Sequence, residues 1–184
     1  MIIKDIKEQV KGYFFLNPTK RLRIRQIERE VKIPLPSAIR YKDELIKEGI
    51  LKKIELADVV LFAADRSSKK FLIEKKLFNI RSLYLSGLID YLVLEYNNTA
   101  IVVFGSYSKG EDIEASDIDI YMETPQKPIN LKKFENILHR NIQSFNFKNI
   151  HAVDNKELAN NIINGIVMNG FIEVFKHQNS TYVS

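Results

Sequence analysis

Two aspartates one residue apart, Asp117 and Asp119, sit in the stretch Ser116-Asp117-Ile118-Asp119-Ile120-Tyr121-Met122. Successive side chains of a strand point to opposite faces, so this alternation puts both carboxylates on one face and Ile118, Ile120 and Met122 on the other. Their Cα atoms are expected about 7 Å apart, the span of two strand residues. Two ionised carboxylates at that distance repel one another unless a cation lies between them. A hard divalent ion such as Mg²⁺ takes oxygen ligands and keeps waters and substrate phosphates in its shell, which suits the pair to phosphoryl or nucleotidyl chemistry. Gly105 lies twelve residues before Asp117 and opens Gly105-Ser106-Tyr107-Ser108-Lys109-Gly110 directly after the apolar run 100–104. A glycine there lets backbone approach a phosphate closely, and the free N–H groups of a following helix favour an anion. Ser106 and Ser108 offer hydroxyls and Lys109 a positive charge.

The elements carrying these groups belong to a chain of 184 residues, 45% hydrophobic and 28% charged, a globular composition long enough for two small domains. The absence of cysteine excludes disulfides and thiolate metal sites, and three scattered histidines (His139, His151, His177) argue against zinc. Apolar runs such as 59–64 and 100–104 are far shorter than the roughly 20 residues that cross a bilayer. The first residues carry no signal-peptide core, so a soluble cytoplasmic protein without membrane contact is expected. The charge is uneven. Residues 1–66 hold 15 Lys and Arg against 10 Asp and Glu, whereas residues 99–184 hold 8 against 10, which suggests two modules with different partners, the first a polyanion.

The stretch VVFGSYSKGEDIEASDIDIYM resembles the signature of minimal nucleotidyltransferases of the DNA polymerase β superfamily: a Gly-Ser helix opening, then a Ser-Asp-x-Asp strand at this separation. The resemblance covers residues 100 to about 175. It implies an α/β (α+β) nucleotidyltransferase fold with a small mixed β-sheet flanked by helices. It further implies that Gly105 and Ser106 hold the phosphates of ATP or another nucleoside triphosphate, and that Asp117 and Asp119 bind Mg²⁺. The implied reaction is attack of an acceptor hydroxyl, on a protein or a nucleic acid, upon the α-phosphate with release of pyrophosphate, AMP being the nucleotide expected. Family members usually carry arginine where this chain has Lys109, which keeps the charge but loses the bidentate fork. They also place a third carboxylate on a later strand. That strand is expected over residues 146–153, with His151 at the equivalent position, either as a base or as a substitution that has cost the activity. Asp154 is the neighbouring acid, but with Glu157 it reads as a capping box opening a helix through Leu158, Ile162 and Ile166.

Residues 1–66 read as three helices and a hairpin. Ile2, Ile3, Ile6, Val10 and Phe14 mark the first helix, and Ile24, Ile27 and Val31 the second. The third begins after Pro34 and Pro36 with Ser37 as N-cap, turns Ile39, Leu45 and Ile46 inward, and ends at Gly49. Residues 50–56 and 59–63, separated by Ala57-Asp58, are expected to form a hairpin. The stretch IPLPSAIRYKDELIKEGILKK resembles the winged helix-turn-helix family, which implies a third helix entering the major groove of double-stranded DNA. Ser37, Arg40 and Tyr41 are then the base readers, and Lys42, Lys47, Lys52 and Lys53 the phosphate contacts. A protein-docking role is the alternative for this module.

Residues 67–98 read as a connecting helix with Phe71, Phe78, Leu85 and Leu92 at seven-residue spacing and a bend at Gly87. That stripe fits either an intramolecular core or the seam of a homodimer. The three segments 1–66, 67–98 and 99–184 thus read as a winged helix-turn-helix domain, a linker and a nucleotidyltransferase domain. Two functions compete: an enzyme, or a DNA-binding regulator whose second domain senses nucleotide without turning it over.

Overall fold

The computed structural model describes residues 5–175; Ile2 and Ile3 of the expected first helix, and His177 with the tail after it, lie outside the described residues. The chain opens with α1 (Ile6–Leu16), capped by the Asp5 carboxylate, which accepts from the Lys7 N–H at 2.8 Å. Its Val10, Phe14 and Phe15 are buried, and the Asn17-Pro18 turn stops it. The expected order of helix, helix, helix and hairpin follows: α2 (Ile24–Val31), α3 (Leu35–Lys47), then β2 (Leu51–Leu56) and β3 (Val59–Ala64). The hairpin turns at Ala57-Asp58 with Leu56 opposite Val59. Sequence reading missed the short β1 (Arg21–Leu22), which adds to β3 and makes an antiparallel sheet of order β1-β3-β2.

Two details of α3 differ from expectation. Pro34 rather than Ser37 is its N-cap, because proline's fixed φ suits a helix entrance and leaves no N–H to satisfy; Ser37 lies inside the first turn. Ile39 is not inward: it is 43% exposed, while Ala38 and Leu45 take the buried face.

The connecting segment is two helices, α4 (Lys69–Leu85) and α5 (Leu88–Glu95), bent by 53°. Gly87 makes the break with a left-handed φ of 76°, which a glycine adopts without strain. The seven-residue stripe does not survive the bend. Phe71 and Leu92 are buried, but Leu85 is 54% exposed, and the buried face of α4 runs Phe71, Lys75, Asn79, Leu83 at a spacing of four. Among the described residues no single helix is long and apolar enough to cross a membrane.

The second sheet contains β4 (Ile101–Phe104), β5 (Ile118–Glu123), β6 (Ile142–Phe147) and β7 (Ile166–Asn169) in the order β6-β5-β4-β7. β5 and β6 run parallel and the other pairs antiparallel, so the sheet is small and mixed, with helices on both faces. On one face Ile101, Val103, Ile118, Ile120 and Met122 pack with Leu83 of α4, Leu88 and Leu92 of α5, and Phe134 and Leu138 of α7 (Lys132–Leu138). On the other, Val102, Phe104 and Tyr121 pack with Ile162 of α8 (Lys156–Ile163). Asn155, not Asp154, caps α8, accepting from the Leu158 N–H at 3.1 Å, and Ile166 belongs to β7. His139 is the left-handed residue that closes α7.

Candidate active site

β4 runs straight into α6 (Gly105–Lys109), and β5 returns beside it with Asp119 directly opposite Phe104. This register brings the Asp119 carboxylate against Gly105. A Cβ at Gly105 would collide with Asp119 Oδ2, and Gly105 has a left-handed φ of 70°, so both space and backbone require glycine here. The strand alternation turns Ile118, Ile120 and Met122 into the first core; Asp119 shares the opposite face with Tyr121. Asp117 lies one residue before β5, its Oδ1 accepting from Asn141 Nδ2 at 3.2 Å. The carboxyl of Asp119 is pushed above its ordinary range, first by burial and then by the neighbouring charge of Asp117.

The turn residues divide by role. Ser106 is half-buried, and its hydroxyl makes no hydrogen bond among the described residues. Ser108 is buried and its hydroxyl donates to the Gly105 carbonyl at 2.8 Å, so it locks the turn instead of facing a ligand. Lys109 is exposed. Among the expected site residues, Gly105, Ser106, Asp117 and Asp119 therefore come together.

His151 does not join them. The strand expected over 146–153 instead spans Ile142–Phe147, and His151 is an exposed member of the 3-10 turn Ile150–Ala152 beyond its end. That turn is held at the far end of β5, where the Ile150 N–H donates to the Glu123 carboxylate at 3.2 Å. Four strand residues, about 13 Å, separate Glu123 from Asp119. The residue level with Asp119 on β6 is Gln143. It shares the carboxylate face, since paired residues of adjacent strands point the same way. The third position at the pair is thus a neutral amide.

Sequence reading also missed what holds the loop from α6 to Asp117. Asp112 is fully buried and meets three partners: Lys75 Nζ at 2.7 Å, Asn79 Nδ2 at 2.7 Å and Arg140 at 3.4 Å. Asn79 Nδ2 also donates to the Tyr107 carbonyl at 2.9 Å. Burial pulls the Lys75 ammonium below its ordinary range, against the pull of Asp112. The signal was present in the four-residue spacing of Lys75 and Asn79 between Phe71 and Leu83, polar groups on an apolar helix face that need a buried partner.

In the N-terminal unit most of the expected phosphate contacts are matched with acids. Lys42 pairs with Asp43 at 2.5 Å, Lys52 with Asp65 at 3.5 Å and Lys53 with Glu55, and the expected base reader Arg40 pairs with Glu44 at 3.0 Å. Tyr41 packs beside Arg40, Ser37 is half-buried, and Lys47 is exposed.

The donor set of Asp117 and Asp119 is all oxygen, and the Asp119 carboxyl is disfavoured as an anion first by burial and then by the charge of Asp117. These residues fit a hard divalent cation carried in with phosphates.

Residues 85–158 match the family described as a nucleotidyltransferase domain. A Methanocaldococcus jannaschii protein named as a protein adenylyltransferase is 50% identical over 40 residues, which are 22% of this chain and 46% of that protein. The match therefore spans under half the length of that curated relative. No solved structure matches the chain significantly. Together the two matches support a nucleotidyltransferase domain in the C-terminal half, around the Gly105 turn and the aspartate pair.

Proposed function

We propose that the C-terminal unit transfers a nucleotide, AMP from ATP, to an acceptor hydroxyl with Mg²⁺ held by Asp117 and Asp119. The observation that carries this is the apposition of the two carboxylates with the Gly105-Ser106 turn across β4 and β5. Backbone N–H groups at the turn and the Ser106 hydroxyl receive the phosphates, and Lys109 adds positive charge at the rim. Bound Mg²⁺ would neutralise the triphosphate oxygens and stabilise the charge of the departing pyrophosphate. The acceptor oxygen forms a bond to the α-phosphorus as the bond to pyrophosphate breaks. Asn141 keeps Asp117 oriented by hydrogen bonding. Gln143 is a neutral amide and takes no proton, so the hydroxyl proton leaves to solvent or to Asp119. The N-terminal unit, with its three helices and hairpin, is proposed to bind double-stranded DNA, which ties nucleotide transfer to a nucleic acid.

The amide at Gln143 favours a second reading, a DNA-binding regulator that binds nucleotide without transferring it. Incubation of the full chain with Mg²⁺, α-labelled ATP and a cell extract separates the two. Label on an acceptor, lost by at least 100-fold with Asp117→Ala, is the expected result. ATP binding by calorimetry with no labelled product under any divalent ion would select the regulator.

A further inference from the structure

Most of the positive charge of the N-terminal unit that meets no acid lies on α2 and its approach; on α3, Lys47 is the cation without an ion pair among the described residues. The outer face of α3 carries Asp43, Glu44 and Glu48, with Lys7 and Arg40 already engaged by Glu44 and Lys7 also by Glu48. A groove of about 670 Å³ opens instead between α2, α3 and the hairpin, lined by Arg23, Arg25, Arg29 and Lys42 against a single acid, Asp58. Arg23 and Arg29 are exposed and make no ion pair among the described residues; Arg25 meets Glu28 at 3.3 Å but is 69% exposed on its side chain. Arg25 and Arg29 stand one helical turn apart, so both guanidiniums serve one line of anions. The floor is apolar, formed by Ile24, Ile39, Val60 and Phe62. Ile39 and Val60 are exposed hydrophobics of this unit that line the groove. Among the lining residues the one aromatic, Phe62, is buried under Lys42, whose Nζ sits 4.9 Å from the ring centre.

We propose that this groove seats the sugar–phosphate backbone of a DNA duplex, with arginine forks on the phosphates and the aliphatic floor against the sugars. The inference rests on the reading of the N-terminal unit as a DNA-binding module and places the contact away from α3's outer face. Guanidinium forks match phosphate oxygens in pairs, and phosphate contacts supply sequence-independent affinity. A single strand would need exposed rings for its bases to stack on, and the groove has none.

The test is fluorescence anisotropy of the full chain with a labelled duplex of arbitrary sequence over a salt series. Arg23→Ala with Arg29→Ala should weaken binding about tenfold or more and flatten the salt slope by about 2, one for each lost phosphate contact. Arg40→Ala, and Lys52→Ala with Lys53→Ala, should stay within twofold of the parent. Arg23→Lys with Arg29→Lys, which keeps the charge but loses the bidentate fork, should weaken binding less than the alanine variant and keep the parent's salt slope; a slope as flat as that of the alanine variant would overturn the inference. Duplex binding that depends on Arg40 or the hairpin lysines but not on Arg23 and Arg29 would overturn the groove while leaving DNA binding intact. No duplex binding even at low salt would overturn the DNA-binding reading and the groove with it. Polyglutamate competing as well as the duplex would overturn it in favour of an acidic protein partner.

Discussion

The carboxyl of Asp119 is the residue whose chemistry the surrounding atoms alter most informatively, because burial and Asp117 both disfavour its charge. A carboxylate with a raised folded pKa binds its proton more tightly in the native state than in the unfolded chain. Its contribution to stability is therefore complete below the ordinary value of 3.8 and declines as pH climbs through the raised one. Replacing Asp119 by Asn removes that penalty, so at pH 7 without divalent ions the variant should melt higher than the parent. Mg²⁺ should raise the melting temperature of the parent at pH 7 and do so less and less as acid protonates Asp119. The Asn variant should show little response, and scanning fluorimetry over a pH series with and without Mg²⁺ reads all of this. Asp117 and Asp119 were legible in the sequence because alternation is a local property of two adjacent positions. Gln143 was not, since its place beside Asp119 is created by the register of a strand 24 residues away.

At the scale of elements, the segment from 68 to 96 shows how a periodic pattern can mislead. A spacing of seven fits one straight helix, and the bend expected at Gly87 is what separates the third position from the fourth. The break at Gly87 turns α5 onto the sheet, which buries Leu88, Ile89 and Leu92 and leaves Leu85 outside. A Cβ at Gly87 would meet nothing within 4 Å, so Gly87→Ala isolates the backbone cost of its left-handed φ. That cost should be about 1–2 kcal/mol of stability by urea denaturation, with no loss of nucleotide binding. Helices α1 to α3 and the hairpin were legible because caps, prolines and alternation are short-range signals. The two-residue β1 was not, since it is a strand only through its pairing with β3.

Across the whole molecule, the buried carboxylate of Asp112 joins three parts of the chain. It faces Lys75 and Asn79 from α4 and Arg140 from the turn between α7 and β6, and Arg140 reaches on to the Leu16 carbonyl at the end of α1, 3.0 Å away. Thr19 adds a second tie, its N–H and hydroxyl both donating to Glu114, three residues before Asp117. The N-terminal unit is thus hydrogen-bonded to the loop that carries the first aspartate of the pair. Asp112→Ala leaves two cations without their buried counter-charge and should cost roughly 3–5 kcal/mol in urea denaturation. Thr19→Ala, at the exposed tie, should cost at most about 1 kcal/mol.

The aspartate pair, the glycine turn and the succession of helices and hairpin were determined by residues close to one another in the chain, because strand alternation, helix caps and turn conformations act over a few positions. Which amide completes the carboxylate face, which cations remain unpaired on the N-terminal unit, and which buried acid ties the two halves together were decided only when the chain closed on itself. Those outcomes depend on pairings between distant segments, and the free energy of each exists only once both partners have been brought together and stripped of water.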